Sequence, residues 1–195
     1  MWADHILALR LAARADRGDT RRVRPLTALA ASTALAVALI GIPTGAAQAH
    51  QPVRLTSADR TPAQGPLLVD GTISFAVYAT VREGNTRGFR VGMKAGQRLD
   101  IQLLINDRPP ANRLSNAQLP LVTIIDPAGR RTSLVIDERT PFYEPYSQTA
   151  YLYLARWNTT ASNGTYQVIV TGRDNTKVPV VVGVGYREVP GEVRD

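Results

Sequence analysis

The chain has 195 residues, 44% of them hydrophobic and 20% charged, which is enough to bury a core, and it contains no cysteine. The missing cysteine excludes a disulfide framework, a thiol nucleophile, a thiolate metal site and a lipidated cysteine behind a leader. The net charge of +7 divides into +3 over residues 1–49 (six arginines against three aspartates) and +4 over the rest (17 basic against 13 acidic residues), and the 17 are scattered singly or as the pair Arg130-Arg131, so no nucleic-acid face is expected.

Taken in chain order, Arg21, Arg22 and Arg24 precede the apolar run Leu26–Ile42. Pro43 and Gly45 then interrupt it, and Ala47-Gln48-Ala49 supplies small-x-small ahead of a cut. This order predicts a helical signal peptide over residues 1–49, cleaved after Ala49, and therefore a secreted or extracytoplasmic product. The alternative is an uncleaved anchor, which would be the chain's one contact with a membrane. A run of about 17 residues rich in alanine is short for a stable span. Cleavage leaves His50 as the new N-terminus, where an amine beside an imidazole chelates copper. A copper site needs a second histidine, and the only other one, His5, departs with the leader, so no cofactor is expected.

Residues 50–66 carry Pro52, Pro62, Gly65 and Pro66 among polar residues and predict an extended lead-in. From Leu67 onwards, short apolar runs alternate with turn residues. Leu68–Val81 comes first, with Ile73, Phe75 and Val77 facing away from Ser74, Ala76 and Tyr78. Strands are then expected at Phe89–Lys94, Leu99–Ile105, Leu119–Ile125 and Arg130–Ile136. The last two are joined by Asp126-Pro127-Ala128-Gly129, which has the residues of a type I turn. After a long loop, 137–149, come Ala150–Trp157, a hairpin turn at Asn163-Gly164, the strand around Tyr166, Val168 and Val170, and Val178–Tyr186. Pro179 suggests an edge or an early position for that last strand. The pattern predicts an all-β domain over 67–188, an antiparallel two-sheet β-sandwich of about eight strands, with a C-terminal tail over 189–195.

Three segments, in order, carry a family likeness. They are Arg87-Gly88-Phe89-Arg90-Val91-Gly92-Met93-Lys94-Ala95-Gly96-Gln97-Arg98-Leu99, Ile124-Ile125-Asp126-Pro127-Ala128-Gly129 and Asn163-Gly164-Thr165-Tyr166-Gln167-Val168-Ile169-Val170. Together they resemble the bacterial pre-peptidase C-terminal domain over roughly Leu68 to Tyr186. The resemblance implies a jelly-roll-like sandwich serving as an accessory or binding module, not an enzyme. The loop over 137–149 departs from it, lacking the acidic repeats that often sit between these strands.

Catalytic constellations are sparse. With His50 as the one histidine of the mature chain, a Ser-His-Asp arrangement lacks a positioned base. Asp137, Glu138 and Glu144 offer a carboxylate pair for a hydrolase, against the simpler reading of solvated loop charges. Asp107, Asp126 and Asp137 could gather around calcium, but Asp126 is explained by its turn and no D-x-D-x-D-G pattern is present. The sequons at Asn158 and Asn163 fit chance occurrence in turn-rich sequence.

The distinctive segment is Phe142–Trp157, which holds six of the eleven aromatic residues that follow the leader. Phe142, Tyr143, Glu144, Tyr146, Gln148, Tyr151, Tyr153 and Trp157 are the candidate ligand-binding residues. Tyrosine offers contact area and a polar tip at low entropic cost, which suits sugar rings or an extended peptide. The competing reading is structural, with the same rings plugging the sandwich. If Leu152 and Leu154 face the core, Tyr151, Tyr153 and Ala155 stand outside. The expectation is a secreted, non-enzymatic binding or accessory module for carbohydrate, an envelope polymer or a partner protein. The alternatives are a carboxylate- or metal-dependent hydrolase, or an interaction subunit pairing through the edge strand Val178–Tyr186.

Overall fold

A computed structural model of the chain describes residues 50–145 and 147–195. The expected leader and Tyr146 lie outside the described residues. The chain order is β1 (Gln51–Arg54), β2 (Leu67–Leu68), β3 (Phe75–Val81), β4 (Thr86–Met93), β5 (Arg98–Asn106), a 3₁₀ turn (Ala111–Arg113), β6 (Leu121–Ile125), β7 (Arg131–Ser133), β8 (Thr140–Glu144), β9 (Thr149–Thr160), β10 (Gly164–Thr171), β11 (Val178–Val184) and β12 (Val193–Arg194). They form two six-stranded sheets, ordered β1-β3-β11-β5-β9-β8 and β12-β2-β4-β10-β6-β7.

The sheets pack face to face, as the alternation demanded. Phe75, Val77, Leu103 and Leu154 of the first sheet share one buried cluster with Phe89, Val91, Val122 and Val168 of the second. The Asp126 turn forms as expected. Asp126 Oδ1 accepts the N–H groups of Ala128 and Arg130, each at 2.9 Å, and Gly129 takes φ 86°. Arg130 Nε donates to Asp126 Oδ2 at 2.7 Å, and this bond above all holds the Asp126 carboxyl below its usual pKa.

The all-β sandwich stands, and the structure adds to it in three places. All eight expected strands are present, but four short ones join them. β1 arises from the lead-in, β12 from the tail and β8 from the loop over 137–149, while β2 lies at the start of the expected strand Leu68–Val81, which the structure divides between the two sheets. All four are edge or near-edge strands too short for periodicity to register, and β1, β2 and β8 contain or follow a proline (Pro52, Pro66, Pro141), whose missing N–H is tolerated there. Within residues 50–66 and 189–195, β1 and β12 each pair into a sheet; Val53 is buried in the core and Val193 packs against it. Secondly, the sheets are mixed, because β1 pairs with β3 and β2 with β4 in parallel.

The third change concerns β11. It lies between β3 and β5 in the middle of its sheet, so Val178–Tyr186 is not an edge available to a partner. Pro179 is accommodated because the ladder with β5 starts only at Val180. After β11 the chain is fastened to the β2–β3 connection. The Thr72 carbonyl accepts the N–H groups of Tyr186 (3.0 Å) and Arg187 (2.9 Å), and Asp70 Oδ1 accepts from the Thr72 N–H (2.9 Å) and hydroxyl (2.7 Å). Burial alone would push the Asp70 carboxyl up; the Thr72 bonds, with Arg187 nearby, bring it below its usual pKa.

Candidate functional site

In a strand the side chains alternate between faces, and directly paired residues point the same way. Tyr151 and Tyr153 of β9 therefore share the outward face of the first sheet with their partners Phe142 and Thr140 of β8, while Leu152 and Leu154 enter the core. The ladder with β5 slips between Leu103 and Leu104: Leu103 faces Ala155, Leu104 faces Tyr153, and Leu154 is the extra residue of a β-bulge. Past the bulge the faces exchange. Ala155 is in the core and Trp157 packs against it, whereas Arg156 points outwards.

The eight candidate residues consequently separate. Phe142, Glu144, Tyr151 and Tyr153 come together on the outer face. Tyr143, paired with Ala150, faces the other way and is 59% exposed. Gln148 sits in the β8–β9 turn at φ 50°, in the left-handed region. Trp157 lines a small crevice with Tyr166 and Asp126 at another part of the molecule. Tyr146 is outside the described residues. The placement of Ala155 and Trp157 thus corrects the simple alternation, and the bulge is the physical reason.

The outer face has partners that the aromatic segment did not reveal. One row of paired residues crosses the sheet: Arg54 (β1), Tyr78 (β3), Val181 (β11), Leu104 (β5), Tyr153 (β9) and Thr140 (β8). Around it, Ala76, Leu104, Tyr151 and Val181 form a second buried cluster, separate from the core, with Tyr78, Phe142 and Tyr153 packed against it. Phe142 and Tyr153 meet at 5.4 Å between ring centroids, tilted by 47°. The signal for this cluster lies in Leu103-Leu104-Ile105 and Val180-Val181-Val182. Such unbroken apolar runs mark strands covered on both faces.

Two depressions adjoin this face, the wider of which also takes in Ala79 and Val180 of the core and Arg87 of the other sheet. A hollow of about 40 Å³ is lined by Ala76, Gly183, Gln102, Glu144 and His50 together with the aromatic rings. A wider cleft of about 430 Å³ continues from it past Tyr78, Tyr151 and Val181 towards Arg54, Thr56, Ser57, Arg87 and Asn106. Burial first, and then the neighbouring Tyr151 through its charge and a hydrogen bond, raises the Tyr78 phenol above its ordinary pKa; burial likewise raises that of Tyr153. Both phenols are therefore neutral hydrogen-bonding groups at neutral pH. The guanidinium of Arg54 lies 4.9 Å from the Tyr78 ring centroid, and that of Arg156 lies 4.0 Å from the Tyr153 centroid.

The catalytic candidates do not converge. Glu138 lies beside Leu154, where it accepts from the Thr140 hydroxyl (2.5 Å) and faces Arg156 (3.4 Å). Glu144 lies at the far end of β8, beside Thr149, where it accepts the Ser147 N–H at 2.6 Å. Strand geometry puts them roughly 15 Å or more apart, well outside the separation that two-carboxylate hydrolysis uses. His50 Nδ1 is hydrogen-bonded to Ser74 Oγ, but Ser74 is only 3% exposed and lines neither depression. Among the described residues, no group of three or more His, Cys, Asp or Glu side chains is placed to hold a metal ion.

No family model and no curated protein matches the chain. Among solved structures it is similar to the pre-peptidase C-terminal domain of a collagenase from Bacillus anthracis, with 12% identity over 69% of this chain and 95% of that one, at a TM-score of 0.38.

Proposed function

We propose that the chain is a secreted, non-catalytic binding module that holds a saccharide chain across the outer face of its first sheet. The observation that carries this reading is the second apolar cluster around Leu104, Tyr151 and Val181. A sheet needs only one apolar face to join a sandwich, and a cluster on the other face serves something besides the core. The cluster is not a greasy patch of the kind that docks a flat protein surface. Tyr151 is only 8% exposed, and the large hydrophobic side chains that do protrude (Val135, Tyr143, Tyr186 and Val189) are not part of it. What the face offers is phenol tips, carboxamides and hydroxyls along an elongated depression, which suits a polyhydroxylated ligand. The order of the three sequence segments that resemble pre-peptidase C-terminal domains supports an accessory role.

Export rests on the leader pattern, and the intact mass of the secreted product should correspond to a chain starting at His50. Binding is tested with purified protein against a panel of soluble polysaccharides in affinity electrophoresis. Tyr78→Ala and Tyr151→Ala are each expected to weaken retardation about tenfold, the scale of a modest interface hot spot. Tyr78→Phe, which keeps the ring, should fold normally and lose less. Unchanged binding in both alanine variants, with far-UV spectra and melting curves showing them folded, would defeat the assignment.

A further inference from the structure

The wider cleft has a chemical character of its own. Its lining includes two arginines, Arg54 from the end of β1 and Arg87 from β4 of the other sheet, together with Thr56, Ser57 and Asn106, and among the described residues none that line it is acidic. Neither arginine forms a salt bridge within the described residues. Arg87 is pinned through Nη1 to the Thr86 carbonyl at 2.6 Å, which fixes one of its donors and leaves the others. Arg54 is steadied differently, against the Tyr78 ring. Stacking uses the flat face of a guanidinium and leaves its edge, with the N–H fork, directed elsewhere. The carboxylate nearest to Arg54 in sequence, Asp59, is engaged by the Thr56 N–H and hydroxyl, the latter at 2.9 Å.

The other end of the same face is arranged differently. Arg156 on Tyr153 is paired with Glu138 at 3.4 Å. Arg54 and Arg87, with no salt bridge among the described residues, are the cationic groups of the wider cleft. From this arrangement, and resting on the reading of the face as a saccharide site, we infer that the ligand is an acidic saccharide, with a carboxylate or phosphate substituent seated between Arg54 and Arg87 while neighbouring sugar units lie over Tyr78 and Tyr151. The N–H fork of arginine matches both oxyanions, and charge-assisted bonds of this kind are about twice as strong as neutral ones.

The test compares charged and masked forms of one polymer on the purified full chain. Polygalacturonate and its methyl-esterified form differ only in the carboxylates, and phosphorylated dextran and dextran differ only in the phosphates. Binding at least about tenfold tighter to one charged polymer than to its neutral counterpart is expected, and the pair that shows it identifies the oxyanion. Arg54→Gln and Arg87→Gln should each remove that preference. Arg131→Gln, on the exposed β7 of the other sheet, should leave it intact. Equal binding of charged and neutral forms, no binding of either charged polymer, or an equal loss in Arg131→Gln would each overturn the inference. If neutral polymers bind and Tyr78→Ala or Tyr151→Ala abolishes that binding, the saccharide site stands while its acidic specificity falls; the reverse pattern removes the site itself.

Discussion

Gly185→Ala is expected to lower the melting temperature by about 10 °C, from a loss of roughly 3 kcal/mol in a domain of this size. Gly185 follows β11 directly and has φ 74°, a conformation that costs a side-chain-bearing residue about 1–2 kcal/mol on its own. Its added methyl would also stand 2.1 Å from the Ile73 carbonyl oxygen and 2.6 Å from the carbonyl carbon, backbone atoms that cannot turn aside. The strain falls on a seam. Residues 186 and 187 bond to the Thr72 carbonyl, Ile73 bridges to Arg187, and the chain beyond supplies β12 to the other sheet. Gly129→Ala is the matched comparison, since Gly129 has φ 86° but open space around its missing methyl, so only the backbone cost of about 1 kcal/mol applies. Thermal unfolding followed by circular dichroism separates the two variants, and equal shifts would show that the close approach to Ile73 is not what constrains this position.

Gly183→Val is expected to reduce saccharide affinity about a hundredfold without destabilising the fold. Gly183 lies within β11 between Ala76 and Gln102, and its backbone is not in the left-handed region. A methyl there would make ordinary contacts, the nearest with the Gln102 Cβ at 3.4 Å. Valine suits an interior strand position better than glycine, by up to about 1 kcal/mol, so the melting temperature should hold or rise. Its branched side chain would nevertheless project into the hollow that Gly183 and Ala76 help to line. A stable variant that cannot bind isolates the surface from the fold, which truncating Tyr78 or Tyr151 does less cleanly. Full affinity in Gly183→Val would mean that the ligand does not enter the hollow.

The sandwich was legible because most of its strands obey a period of two. Phe75 and Val77 against Ala76 and Tyr78, or Leu99 and Ile101 against Asp100 and Gln102, declare their faces without help. The strands that escaped notice are short, two of them carry proline, and their identity depends on their neighbours in the sheet: β1 exists because it lies along β3, and β8 because it lies along β9. The site was half legible. Aromatic density found Phe142, Tyr151 and Tyr153 but drew in Tyr143 and Trp157, which stand elsewhere. Nothing local announces the bulge at Leu154, so Trp157 could not be placed by counting. Tyr78 and Arg54 are single residues in unremarkable strands, and only the pairing across six strands sets them beside the aromatic segment.

The central seat of β11 also governs when this protein can fold. β3 and β5 have no common partner until residues 178–184 arrive to lie between them, so the first sheet cannot assemble progressively as the chain emerges. Its contacts join residues about a hundred positions apart, the kind of topology that folds in milliseconds to seconds and closes late. The first sheet stays open until nearly all of the chain is available, and the strand that closes it is among the last to be made.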